Sequence, residues 1–151
     1  MSDNVVLPPE RHYVRRQGVF IPPLLIFPFI VYNIVAFAVF AGSGAGWSGT
    51  MFWIPMVSGQ SWEVTAGDLM LVVSLIVLFF EVVKSTQSGR SSVLEHMLST
   101  LVFILFLVEF LLVGAAATSV FFILMVMALF DVVAGFTVSI TSAGRDVTMA
   151  G

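Results

Sequence analysis

The sequence contains no cysteine, and only 10% of its residues are charged. The absence of Cys excludes disulfides, thiolate metal sites and thiol catalysis. Soluble globular domains average about 25% charged residues, so this composition lies far outside that class. The two histidines, His12 and His96, lie outside the strongly apolar runs, which excludes a haem held by two intramembrane histidines. No glycine-rich phosphate loop and no basic patch is present, so we expect no enzymatic activity, cofactor, metal or nucleic-acid partner.

Apolar residues dominate instead, because 59% of the chain is hydrophobic and the mean hydropathy is +1.08. Four apolar runs each approach the ~20 residues that cross a bilayer as a helix. The predicted spans, which include the capped ends of these runs, cover approximately residues 23–42, 67–85, 93–114 and 119–141, and the apolar run of the third begins at Met97. The first run is longer than the apolar core of a signal peptide, so we interpret it as a span. The pattern predicts an all-α membrane protein, with residues 1–151 forming one left-handed bundle of four transmembrane helices.

Residues with helix-capping chemistry stand at the ends of these runs. Thr65 with Asp68 and Ser92 with Glu95 have the spacing of capping boxes, ahead of the second and third runs. Pro28 lies inside the first run and is expected to kink that helix or delay its start. Glycines that can end a helix follow each run, namely Gly42, Gly89, Gly114 and Gly144.

The basic residues predict the orientation of the chain in the membrane. No Lys or Arg occurs between residues 42 and 67 or between residues 114 and 119. The positive-inside rule therefore places those two loops outside the cytoplasm and both termini inside it. We expect a multi-pass protein of a bacterial inner membrane. The basic residues that obey this arrangement are Arg11, Arg15, Arg16, Lys84, Arg90 and Arg145.

The first external loop has the pattern of a small β-hairpin over about residues 50–66. Apolar and polar residues alternate from residue 61 to 66, and Ser58, Gly59 and Gln60 separate the two short runs. The three tryptophans of the protein lie in this loop. They are interpreted either as an aromatic belt at the lipid interface or as a docking surface for a partner. These residues are Trp47, Trp53 and Trp62.

A seam of polar and small residues is predicted to line the contacts between the helices. Small and polar side chains on one stripe mark the packing face of a helix in lipid. Helical spacing places Glu81 and Asp131 at the same depth, roughly 20 Å from the external loops, and Ser74 and Glu109 at roughly 10 Å. The residues of the seam are Asn33, Ser74, Glu81, Lys84, Glu109, Asp131, Gly135 and Ser139.

Two interpretations of the acidic residues in this seam remain open. In the structural one, Lys84 neutralises Glu81 and Asp131 bonds to a Ser or Tyr. In the other, Glu81 and Asp131 share a proton or bind a cation on an ion path. Glu109 has no cation at its level in this chain. It is therefore protonated, bonded to Ser74, paired with another subunit or exposed to a water-filled vestibule.

The predicted plan resembles that of the claudins, with four spans, strands and Trp in the first external loop and both ends inside. The likeness is architectural, since this chain lacks the pair of loop cysteines in the claudin signature and no function is transferred. The segments IPMVSGQSWEVTAGDLM, FFEVVKST and ALFDVVAGFTVSITSAGRD are also similar to those of small uncharacterised bacterial four-span proteins. That resemblance implies no activity.

Three functions fit the sequence. The first is a non-enzymatic accessory or scaffold subunit in the lipid bilayer, which self-associates as a homo-oligomer or attaches to a larger membrane complex. The second is an oligomeric proton or cation conductor that uses Glu81, Glu109 and Asp131. The third is a small transporter, which a chain this short without a visible repeat supports least.

Overall fold

The computed structural model describes residues 22–87 and 92–148, which are mostly helical. Within these residues, three helices are long and apolar enough to cross a membrane. They are α2 (Ala66–Gln87), α3 (Ser92–Leu112) and α4 (Ser119–Thr148). Their length and apolar composition indicate a membrane protein, as predicted.

The first helix is shorter than the other three. Helix α1 covers Ile26–Ile34 and continues as a π-helical turn over Val35–Val39. At ~1.5 Å per residue, this segment is about 21 Å long, against about 30 Å for the hydrocarbon core of a bilayer. The helix thus lies inside the predicted span over residues 23–42, and the fourth membrane crossing remains a prediction.

The late start of α1 follows from its prolines. Pro22 and Pro23 precede the helix, and Pro28 lies in its first turn, where a missing N–H breaks no helical hydrogen bond. Pro28 therefore delays the start of the helix without kinking it. At the other end, Ala41 and Gly42 adopt φ values of 50° and 80°, and this left-handed backbone ends the helix.

Helix α4 packs against both α2 and α3, and α1 covers the remaining side of the core. Close approach depends on two glycines. A Cβ atom at Gly67 on α2 would lie 2.8 Å from Cγ2 of Val120 on α4. A Cβ atom at Gly135 on α4 would lie 2.5 Å from Nδ1 of His96 on α3. Small residues therefore set the spacing of α4 from both neighbours.

The predicted hairpin is confirmed as a two-stranded antiparallel sheet. Strand β1 covers Thr50–Pro55, and β2 covers Ser61–Thr65. The turn between them closes with a hydrogen bond from the amide of Met56 to the carbonyl of Gln60, and Gly59 has a φ of 84°. The register is irregular between Thr50 and Phe52, so a bulge lies at the start of β1.

Strand β2 runs directly into α2 through the predicted capping box. The side chain of Asp68 accepts hydrogen bonds from the amide and the hydroxyl of Thr65, at 2.9 and 2.8 Å. The Thr65 hydroxyl in turn accepts one from the amide of Asp68 at 3.1 Å. This reciprocal pairing fixes the hairpin to the start of α2. We call this end of the bundle the hairpin end.

Candidate functional site

One group of charged side chains lies at the end of the bundle away from the hairpin, and we call it the Glu81 cluster. Glu81 is 3% exposed and forms an ion pair with Lys84, with 2.7 Å between Oε1 and Nζ. Its other oxygen, Oε2, accepts a hydrogen bond from the amide of Leu24 at 2.8 Å. Because Pro22 and Pro23 have no amide hydrogen, Leu24 presents the first free backbone donor ahead of α1. Glu81 therefore holds the start of α1 as well as the lysine.

Asp131 completes this cluster. It is 5% exposed, forms a hydrogen bond with the side chain of Ser99 and lies within range of the charges of Glu81 and Lys84. The structure thus brings Glu81, Lys84 and Asp131 together, as the equal depths indicate. Lys84 pairs with Glu81, and Asp131 forms a hydrogen bond with a serine. This arrangement agrees with the interpretation in which these acidic residues have a structural role.

The second acidic group lies nearer the hairpin end, and we call it the Glu109 pair. Nδ2 of Asn33 on α1 donates to Oε2 of Glu109 on α3 at 3.1 Å and also to the carbonyl of Phe29 at 3.1 Å. Among the described residues, Oε1 of Glu109 is buried without a hydrogen-bond partner. The suggested bond from Glu109 to Ser74 is wrong, because the Ser74 hydroxyl donates to the carbonyl of Met70 in its own helix, at 2.7 Å.

Tyr32 forms the polar centre of the hairpin end, and the sequence analysis did not single it out. Its side chain is completely buried, and its hydroxyl donates to the carbonyl of Ala115 at 2.9 Å. The hydroxyl also lies 2.7 Å from Oγ1 of Thr118, which accepts a hydrogen bond from the amide of Phe121 in the first turn of α4. The position of Tyr32 within an apolar run could have indicated this role from the sequence, because a buried tyrosine hydroxyl needs a hydrogen-bond partner.

Trp47 lies in the core and not on the surface. It is 4% exposed, and its indole ring stacks on Tyr32 with centroids 4.5 Å apart and an interplanar angle of 11°. The indole nitrogen lies near the Tyr32 hydroxyl but has no hydrogen bond of normal geometry within the described chain. The expectation of an interface residue at position 47 is therefore corrected, since Gly46 lets the loop fold inward against Phe40.

An aromatic layer separates the Glu81 cluster from the Glu109 pair. Phe106 and Phe121 are completely buried, with ring centroids 5.3 Å apart. Phe29 packs edge-on against Phe106 at 4.9 Å. On α1 and α3, Phe29 and Phe106 lie between the residues of the two polar groups, and Phe121 in the first turn of α4 packs against Phe106. Aromatic contacts therefore lie between the two polar groups on α1 and α3.

Two further seam residues lie on α4 beyond Asp131. Gly135 is buried against His96, which is itself 8% exposed and was not recognised as a core residue from the sequence. The position of His96 on the same face of α3 as Ser99 could have indicated from the sequence that this histidine is buried. The side chain of Ser139 lies outside the described residues, so its place in the seam stays a prediction.

The hairpin presents a strongly apolar surface. Pairing of Phe52 with Val64 and of Ile54 with Trp62 places these four side chains on one face of the sheet. Trp53 lies on the opposite face with Glu63, whose carboxylate accepts a hydrogen bond from the Thr50 hydroxyl at 3.1 Å. The large apolar side chains exposed on the hairpin are Met51, Phe52, Trp53, Ile54, Met56, Val57 and Trp62.

No family model, curated protein or solved structure matches this chain. Its resemblance to small bacterial four-span proteins therefore remains a prediction. Within residues 22–87 and 92–148, no group of His, Asp and Glu side chains is placed to hold a metal ion. The geometry of the two polar groups and the hairpin is the basis for inferring a function.

Proposed function

We propose that this chain is a non-enzymatic accessory or scaffold subunit of a membrane complex, to which it attaches through its β-hairpin. The exposed apolar surface of the hairpin carries this proposal. Seven large apolar side chains are exposed on this one hairpin, and the tip residue Val57 is fully exposed. Contiguous apolar surface of this kind on a projecting element marks an interaction site.

The hairpin also needs support that its own strands do not supply. A two-stranded sheet is marginally stable alone in water, and each of its strands has an unpaired edge. Only Val64, next to the start of α2, is buried among the apolar residues of the two strands. Tryptophans such as Trp53 and Trp62 are the side chains that most often anchor protein interfaces. A partner covering the Phe52, Ile54 and Trp62 face would stabilise the sheet.

In this proposal α1 is the fourth membrane-crossing helix. Its start is bound by Glu81 and its far part by the Tyr32 contacts, so it extends from the Glu81 cluster to the polar contacts of the hairpin end. The hairpin then lies outside the cytoplasm, and both termini lie inside it. This orientation, and the location in a bacterial inner membrane, are predicted from the basic residues. Apart from Lys84, the side chains of those residues lie outside the part of the chain that the structure describes.

The interior of the bundle supports a scaffold more than a conductor of protons or cations. Glu81 and Asp131 are each held by a neighbouring side chain. On α1 and α3, the Phe29 and Phe106 rings of the aromatic layer lie between them and Glu109. Conduction through one chain would need a wet or hydrogen-bonded path across this layer.

Site-specific photo-crosslinking in intact membranes tests the proposal. A photoreactive amino acid at Val57 should yield a discrete protein adduct, whereas the same group at Ile76, an exposed residue in the middle of α2, should react with lipid. An adduct of twice the mass of the chain would identify self-association. Identical lipid-only products at both positions would contradict docking through the hairpin.

A second measurement separates attachment from folding. The variant with Trp53→Ser and Trp62→Ser should migrate as a smaller species in native gels, with unchanged helix content by circular dichroism. Both residues are exposed, so their loss leaves the bundle core intact. Ion flux in liposomes containing the purified chain, abolished by Glu109→Gln, would instead support the conductor.

A further inference from the structure

A groove opens on the surface of the bundle between α1 and α3, with a volume of about 330 Å³. Asn33 and Glu109 form the polar part of its wall. Phe37 and Leu112 line it towards the hairpin end, and Phe29 and Leu105 line it towards the middle of the bundle. The groove thus has a single polar position in an apolar wall.

The carboxyl group in this wall is incompletely bonded. Oε2 of Glu109 accepts from Asn33, whereas Oε1 has no hydrogen-bond partner within the described residues. A carboxylate in an apolar environment needs a cation or several donors, and one neutral amide supplies neither. Each carboxylate oxygen accepts two hydrogen bonds, so Oε2 can accept from a donor that enters the groove while it keeps Asn33, and a partial turn about the last bond brings the buried Oε1 towards the same donor.

The depth of Glu109 fits the headgroup region of a bilayer leaflet. Helix α3 ends at Leu112, so Glu109 lies only ~4.5 Å inside the end of that helix. The neighbouring α1 segment, Ile26–Val39, is about 9 Å shorter than a typical hydrocarbon core. A short helix draws headgroups inward, because the bilayer thins around it. Phe29 and Leu105 lie one turn deeper, at the level of acyl chains.

These features do not fit a partner helix or a second copy as the occupant. A helix with its side chains is about 10 Å across, whereas this slot lies between two helices joined across it by the bond from Asn33 to Glu109. A second copy in the same orientation brings no cation to this level. The sequence has no Lys or Arg between residues 17 and 83 or between residues 91 and 144.

We propose that the α1–α3 groove binds a phospholipid with a primary ammonium headgroup, of the phosphatidylethanolamine class, through Glu109. The ammonium donates to the carboxylate of Glu109, and an acyl chain lies along Phe29 and Leu105. Asn33 positions the carboxylate by holding Oε2. A choline headgroup carries the same charge but has no N–H, so it satisfies no acceptor.

Lipid competition measured by native mass spectrometry tests this site. The purified chain is exposed to equal amounts of phosphatidylethanolamine and phosphatidylcholine with identical acyl chains. We expect the ethanolamine lipid to be retained about tenfold more, the effect of one charge-assisted hydrogen bond. The preference should vanish in Glu109→Gln and persist in Glu63→Gln, whose carboxylate lies on the hairpin and away from the groove.

A second variant tests the apolar part of the groove without touching the carboxyl group. Leu105→Trp should fill the slot and reduce retention of both lipids, while helix content stays unchanged. Equal retention of the two lipids by the wild-type chain, or a preference that survives Glu109→Gln, would overturn the proposal. A crosslink from position 109 to a lysine of another protein, with no lipid preference, would overturn it in favour of a partner helix.

Discussion

Two glutamates in this bundle, Glu81, which is buried, and Glu109, which is half-buried, differ in how many hydrogen-bond donors hold their carboxylates. Glu81 is joined to Lys84 and to the amide of Leu24, so each of its oxygens has a donor. Glu109 has Asn33 on one oxygen and nothing in the described chain on the other. A carboxylate with a cation and a backbone donor is part of the scaffold. One left half-bonded beside a surface groove is available to a ligand.

The largest loss of stability is expected when Glu81 loses its ion-pair partner Lys84. Lys84→Met leaves Glu81 buried and charged, and breaking a buried ion pair in this way costs about 3–5 kcal/mol. Denaturation in mixed detergent micelles, followed by circular dichroism, measures the change. Lys84→Arg should reduce the free energy of unfolding much less, because it keeps the positive charge beside Glu81. A cost for Lys84→Met below that for Glu109→Gln would reverse the comparison.

A smaller effect is expected from crowding the helix contact beside the Glu81 cluster. Gly135→Leu places a side chain where a Cβ atom already meets His96 at 2.5 Å. Overpacking of this kind costs about 1–3 kcal/mol and forces α3 away from α4. Val133→Leu adds the same side chain at an exposed position on α4 and should be neutral. Equal folded yields of the two variants would show that this contact is not close.

Tyr32→Phe tests the polar centre of the hairpin end while leaving the ring in place. The change removes the donor to the Ala115 carbonyl, and a buried acceptor left unsatisfied costs about 1–3 kcal/mol. Thr118→Ser, which retains a hydroxyl at the other partner, should cost less. The same denaturation assay reports both. No loss in Tyr32→Phe would mean that water satisfies the carbonyl and that this end is open.

The smallest loss of stability is expected at Glu109, whose carboxyl group has only one hydrogen bond within the described chain. Glu109→Gln keeps an acceptor for Asn33 and removes a charge that the described chain does not balance, so any loss of stability should stay below about 0.5 kcal/mol. Lipid retention should change nevertheless. A loss of stability as large as that of Lys84→Met would show that Glu109 is structural, and the two glutamates would then be equivalent.

The sequence by itself determined the features that depend on local patterns. Apolar runs located the three long helices, the alternation after residue 60 gave the hairpin, and the Thr65–Asp68 spacing gave the capping box. Helical rise placed Glu81 and Asp131 at one level, and Lys84 lies within reach of Glu81 because it is three positions further along α2. These inferences need only the repeat of a helix or strand.

Only the tertiary structure decided which distant groups share a bond. The pairing of Asn33 with Glu109 spans 76 residues, and that of Tyr32 with Ala115 spans 83. The composition of the loop indicated surface tryptophans, yet Trp47 is buried because the loop turns inward onto the Tyr32 ring. Such contacts depend on the lateral order and rotation of the helices, which side-chain packing fixes and no local pattern encodes.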